Sequence, residues 1–144
     1  MKRQILLSFF ALAFVTLFTA CGGTTTVSPI PSLVVGKWTV TKAYYGNEES
    51  SADMYKGYEI NFTNTNTYSV ENPTGAPSLS LSPLNSGVYE IDAFNNNQLT
   101  FDKGTTTSSK HSIIIVNNTK MVTETYVTLP GKLRTLYRFE LARK

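Results

Sequence analysis

Few residues in this chain can do covalent or acid–base chemistry, and their placement narrows what that chemistry is. There is one cysteine, Cys21, and one histidine, His111, in 144 residues. A lone thiol has no disulfide partner within the chain, and this one sits directly behind Ala20 at the end of an apolar run. His111 opens a predicted strand with no acid or nucleophile beside it, which suits a surface histidine better than a general base. The acidic pairs Glu48-Glu49 and Glu90 with Asp92 read as solvated faces. No Cys-x-x-Cys or His-x-x-x-His spacing occurs, so neither a metal site nor a cofactor is expected. What remains is aromatic: Tyr44, Tyr45, Tyr55 and Tyr58 supply rings able to stack on a sugar or a lipid. The expectation is a protein that binds and is not an enzyme.

The segment around Cys21 has its own logic. Met1-Lys2-Arg3 is cationic, Ile5 to Phe18 is almost unbroken hydrophobe, and Ala20 is the small residue before the thiol. The run falls short of the roughly 20 apolar residues that span a bilayer, and the three parts in this order match an export signal. Leu17-Phe18-Thr19-Ala20-Cys21 resembles the lipobox of bacterial lipoproteins, with Phe18 where that family usually has Leu, Val or Ala. The resemblance implies that residues 1–20 are a signal peptide and that Cys21 carries acyl chains such as palmitate. The alternative is an ordinary secretory signal followed by a free thiol. One acyl chain holds a protein only marginally, whereas two or more, at about 0.8 kcal/mol per buried methylene, hold it firmly. A lipidated Cys21 therefore places the protein on a membrane of the bacterial cell envelope. Residues 21–32, rich in Gly, Thr, Ser and Pro, read as a flexible tether. The lack of an acidic residue straight after Cys21 points, within that resemblance, to the outer membrane facing the periplasm.

Charge excludes one class of partner. The formal charge of +3 falls toward neutrality once Lys2 and Arg3 leave with the signal. Arg134, Arg138, Arg143 and Lys144 are spread along one predicted strand, so no nucleic acid is expected.

The elements that must position the aromatics are strands. No helical period appears after Leu33, whereas alternation is clean in Tyr58, Ile60 and Phe62 and again in Tyr68 and Val70 across an Asn-rich turn. Further strands are predicted over Val34–Tyr45, Gly87–Ala93, around Leu99 and Phe101, His111–Asn117, Lys120–Leu129 and around Thr135–Leu141. The His111–Asn117 strand is apolar on both faces, which predicts a covered outer side. Eight strands joined mostly by short turns favour sequential antiparallel pairing, and closure into an up-and-down barrel removes two sticky edges. Gly36-Lys37-Trp38, with a basic residue near the end of the last strand, resembles the opening of the lipocalin-like domains found in many bacterial lipoproteins. The resemblance covers residues 33–144 and implies an all-β, eight-stranded barrel that binds small hydrophobic ligands.

Two sets of site residues follow. Gly36, Trp38 and Arg143 form the barrel base, with the Arg143 guanidinium expected on the Trp38 ring. Tyr44, Tyr45 and the Asn72–Ser86 loop frame the mouth, and Tyr58, Phe62, Tyr68, Tyr89, Phe101 and Tyr137 face inward. Rings of that size either hold one small ligand or fill the barrel themselves. In the second case the working surface is the outer wall, and the partner is an envelope protein or a glycan.

Overall fold

The computed structural model describes residues 30–80, 84–92, 94–95, 97–128, 131 and 133–144. The expected signal peptide, Cys21 and most of the expected tether lie outside the described residues. The chain enters through a one-turn helix, α1 (Ile30–Val34), and continues as β1 (Gly36–Tyr45), β2 (Glu48–Glu49), β3 (Glu59–Phe62), β4 (Thr67–Glu71), β5 (Ser86–Ile91), β6 (Gln98–Phe101), β7 (Ser109–Val116), β8 (Lys120–Val127) and β9 (Thr135–Arg143). A single 3-10 turn, Ala52–Tyr55, stands between β2 and β3.

Every neighbouring pair is antiparallel. The order runs β2-β1-β3-β4-β5-β6-β7-β8-β9, and β9 returns to β1 from Trp38↔Arg143 to Tyr45↔Tyr137. The eight long strands thus close an up-and-down barrel, and β2 only extends the end of β1 through Tyr44 and Tyr45. Closure hides the backbone groups that an open sheet would expose at its edges. The cleanest alternation produces the cleanest hairpin: Ile60 pairs with Val70 and Phe62 with Tyr68, all four buried, across a turn where Asn66 takes φ +60°.

Two bulges alter which side chains face in. Between Val40 and Lys42 the register with β9 slips, which turns Ala43 inward, fully buried. Between Ile113 and Ile115 the register with β8 slips as well, and Ile114 and Ile115 both emerge outside, 51% and 42% exposed. The covered outer face expected for this strand is therefore absent among the described residues, because the extra residue breaks the alternation rather than burying a second face.

The base is built as expected, with one addition. Trp38 is fully buried and the Arg143 guanidinium carbon lies 4.4 Å from its ring centroid, a cation–π contact worth about 1 kcal/mol or more when desolvated. Gly36 takes φ +130°, and any Cβ there would collide with Arg143 Nη1. Arg143 donates to the Leu33 carbonyl at 2.5 Å and the Val35 carbonyl at 2.7 Å, while Trp38 Nε1 donates to the Val34 carbonyl at 2.8 Å. These bonds satisfy carbonyls at the end of α1, where a cation also suits the helix dipole. Residues 30–32, expected in the tether, and Val34, expected in the first strand, are helical instead. Pro31 is tolerated there because a first turn has no intrahelical use for its missing N–H.

Candidate functional site

The opposite end of the barrel is where β1, β4, β6 and β8 finish. A described stretch of the long loop, Asn72–Ser80, folds over this mouth and into it. Asn72 shapes its first turn, donating from Nδ2 to the Ala76 carbonyl at 2.7 Å and accepting from the Ala76 N–H at 3.0 Å. Beyond it Ala76, Leu79 and Ser80 are buried, Leu79 at 1% exposure. Tyrosine hydroxyls hold the descending part. Tyr55 donates to the Pro77 carbonyl at 2.9 Å, Tyr58 bonds Ser78 Oγ at 2.8 Å and accepts from the Leu79 N–H at 3.2 Å, and Tyr68 bonds Ser80 Oγ at 2.6 Å. The loop is a plug held by hydroxyls, with a leucine side chain as its apolar tip.

Beneath the plug the rings form one connected set. Tyr55 stands edge-on to Tyr58 and Phe139 at centroid distances of 5.6 and 6.1 Å, and Phe101 is 5.1 Å from Tyr68, 5.9 Å from Phe62 and 5.4 Å from His111. His111 in turn lies 6.3 Å from Phe139. Tyr89 closes against Phe62 at 5.0 Å, and Tyr137 against Tyr45 at 4.7 Å. Tyr45 and Tyr55 share a short hydroxyl contact at the rim.

Of the rings expected to face inward, Tyr58, Phe62, Tyr68 and Phe101 are fully buried, Tyr89 nearly so, and Tyr137 half-buried at the rim. Tyr45 frames the mouth as expected. Tyr44 does not: it lies on the outer wall, 6.0 Å from the guanidinium of Arg138, in an external cleft shared with Glu124 and Glu140. Side chains and the plug together fill this interior, and the open clefts among the described residues lie outside. One, of about 540 Å³, runs beside α1 between Pro31, Val35, Asn64 and Ile91; another, of about 350 Å³, crosses the wall at Lys110, Glu124, Tyr126 and Arg134.

Three features went unforeseen. His111 is not on the surface but 1% exposed, since β7 turns Ser109, His111 and Ile113 inward. The parity of Ile113 carried that signal. Burial holds the imidazole neutral, with its pKa pushed down to about 4; the nearby Leu79 carbonyl opposes this but completes no hydrogen bond to either ring nitrogen. Asp102 also points in. It accepts from Tyr68 at 2.6 Å and from the Val88 N–H at 3.1 Å, across from Gly87, where a Cβ would strike its carboxylate. Its φ of +48° takes it out of the alternation of Leu99 and Phe101, which would turn this residue outward. Finally, Ser109 and Thr123 are buried beside His111 on the same inner wall.

The tyrosine hydroxyls are hard to ionise here. Burial pushes Tyr58 up, and burial with the neighbouring Tyr45 hydroxyl pushes Tyr55 up strongly. Among the described residues no three His, Cys, Asp or Glu side chains come together as a metal site. The arrangement offers neutral hydrogen-bonding groups set in an aromatic wall, which can hold an apolar molecule with a polar end.

A family model described as a lipocalin-like domain matches residues 34–123, more than half of the chain. No curated protein matches it.

Proposed function

The chain belongs to the lipocalin-like domain family, and from that premise we propose that it is a non-catalytic module that takes a small hydrophobic ligand at the mouth now closed by Asn72–Ser80. One observation carries the reading. The mouth is sealed by a loop whose buried contacts are hydroxyl bonds and the side chains of Ala76 and Leu79, while the wall beneath is a continuous aromatic surface. Such a plug is replaceable, because a ligand that enters restores apolar burial at about 25 cal/mol per Å². The test is organic extraction of the protein isolated from its native membranes, followed by mass spectrometry. A hydrophobic molecule recovered in near-stoichiometric amount supports the reading. Protein that yields none, and whose unfolding midpoint no hydrophobe raises, contradicts it.

The same proposal places the domain on the bacterial cell envelope, tethered through lipidated Cys21, on the outer membrane and facing the periplasm. The support is the cationic start, apolar run and Ala20-Cys21 junction. A second reading, an accessory module that meets an envelope protein or glycan, is favoured by the adjacent exposed Ile114 and Ile115 on the outer wall. Crosslinking in intact cells separates the two.

A further inference from the structure

Four polar atoms inside the barrel have no hydrogen-bond partner among the described residues: Ser109 Oγ, both ring nitrogens of His111, and Thr123 Oγ1. Their residues are at most 6% exposed. Buried polar groups are normally bonded, and each one left unmade costs about 1–3 kcal/mol. Nor are these four scattered. Ser109 and His111 are two apart on the inner face of β7, and Thr123 pairs with Ile113, the next inward residue of that strand. The polar groups around them are satisfied: Thr125 donates to the Lys110 carbonyl at 2.6 Å, and Tyr68 is bound to Ser80 and Asp102. The unmade bonds thus line one inner wall, with His111 between Ser109 toward the mouth and Thr123 toward the base, flanked by the rings of Phe101 and Phe139 and approached by the backbone of Leu79.

We infer that Ser109, His111 and Thr123 are the polar anchor of the ligand site, and that they select an uncharged, lipid-like molecule ending in a hydroxyl or amide, whose apolar body takes the place of Leu79. This rests on the ligand-binding reading above and adds the chemistry of the ligand to it. A neutral imidazole presents one donor and one acceptor, and each hydroxyl presents both, so the matching group must give and take hydrogen bonds. An anion does not fit. Among the described residues no lysine or arginine is buried and the one buried carboxylate is that of Asp102, so a carboxylate brought here would lose its water without gaining a cation. A plain alkane fits the rings but leaves all four atoms unpaired.

The full chain, isolated from cells, is titrated at pH 7 with 1-dodecanol, dodecane and dodecanoate, following displacement of a fluorescent hydrophobe. The expected order is dodecanol tightest, by roughly tenfold or more over both others, the worth of one or two net hydrogen bonds. The combined exchange Ser109→Ala, His111→Leu, Thr123→Val removes that preference while dodecane binds as before. Thr123→Val alone, which keeps the side-chain shape, gives part of the same loss and guards against misfolding of the triple variant. Equal affinity for the three probes, or an unchanged dodecanol preference in the triple variant, overturns the anchor and leaves the binding reading intact. Failure of every probe to bind overturns both, and waters bridging the four atoms in a crystal of such a protein would then be their full explanation.

Discussion

Acidification just below neutrality costs stability through the buried His111, and the size of the effect can be worked out in advance. Unfolded, the imidazole has a pKa near 6.5; folded, burial holds it at about 4. Between those values the unfolded chain binds a proton that the folded one refuses, so stability falls as pH falls. From pH 7 to pH 5 the loss is about 2 kcal/mol, and it reaches about 3 kcal/mol once pH has passed through 4. Other groups act lower. The carboxylates of Glu59, bonded by Lys144, of Asp92, bonded by the N–H groups of Asn95 and Phe94, and of Glu140, bonded by Lys120, are all held below the usual range. Their contributions are present above the ordinary carboxylate pKa and are lost only below it. Urea unfolding followed by Trp38, the only tryptophan, should lose about 1 M in midpoint from pH 7 to 5, given a slope of roughly 1–3 kcal/mol per molar. His111→Leu should flatten that dependence. A wild-type midpoint constant between pH 7 and 5, or an equal slope in His111→Leu, would show that the imidazole is not buried neutral.

Other substitutions test other parts of the molecule. Leu79→Ala should cost roughly 2–4 kcal/mol of stability, since the side chain is fully buried, yet tighten dodecanol binding because the competing leucine is gone; a calorimetric scan and a titration read the two effects. Arg143→Lys keeps the charge but loses the planar fork that reaches the Leu33 and Val35 carbonyls. It should lower stability by about 1–2 kcal/mol and shift Trp38 fluorescence. Cys21→Ser should abolish incorporation of labelled palmitate and leave the chain larger by roughly the length of a signal peptide, read on a denaturing gel; normal processing in that variant removes the lipid anchor from the proposal.

The barrel was legible because its strands alternate and its turns carry Asn and Gly. The base was legible too, since Trp38 and Arg143 share inward parity and antiparallel closure sets them opposite each other. What escaped had local causes. The bulges in β1 and β7 insert a residue without any mark in composition, so Tyr44 and Ile115 take sides that strict alternation does not give. Asp102 turns inward at a positive φ, an event the residue type permits but does not announce. His111 was readable from the parity of Ile113, but a polar residue at a strand start suggests solvent first. The plug was half-visible: the Asn72–Ser86 loop was expected at the mouth, whereas its bonds to Tyr55, Tyr58 and Tyr68 depend on tertiary placement.

On the proposed reading a hydrophobic ligand enters the barrel by displacing the Asn72–Ser80 plug. Amide hydrogen exchange at Leu79, whose N–H is bonded to the Tyr58 hydroxyl, tests it most directly. With saturating 1-dodecanol, protection at Leu79 and Ser80 should drop while the β1–β9 seam keeps its protection. Binding that leaves the Leu79 amide as protected as before, and slows exchange on the outer wall at Ile114 and Ile115 instead, would contradict it.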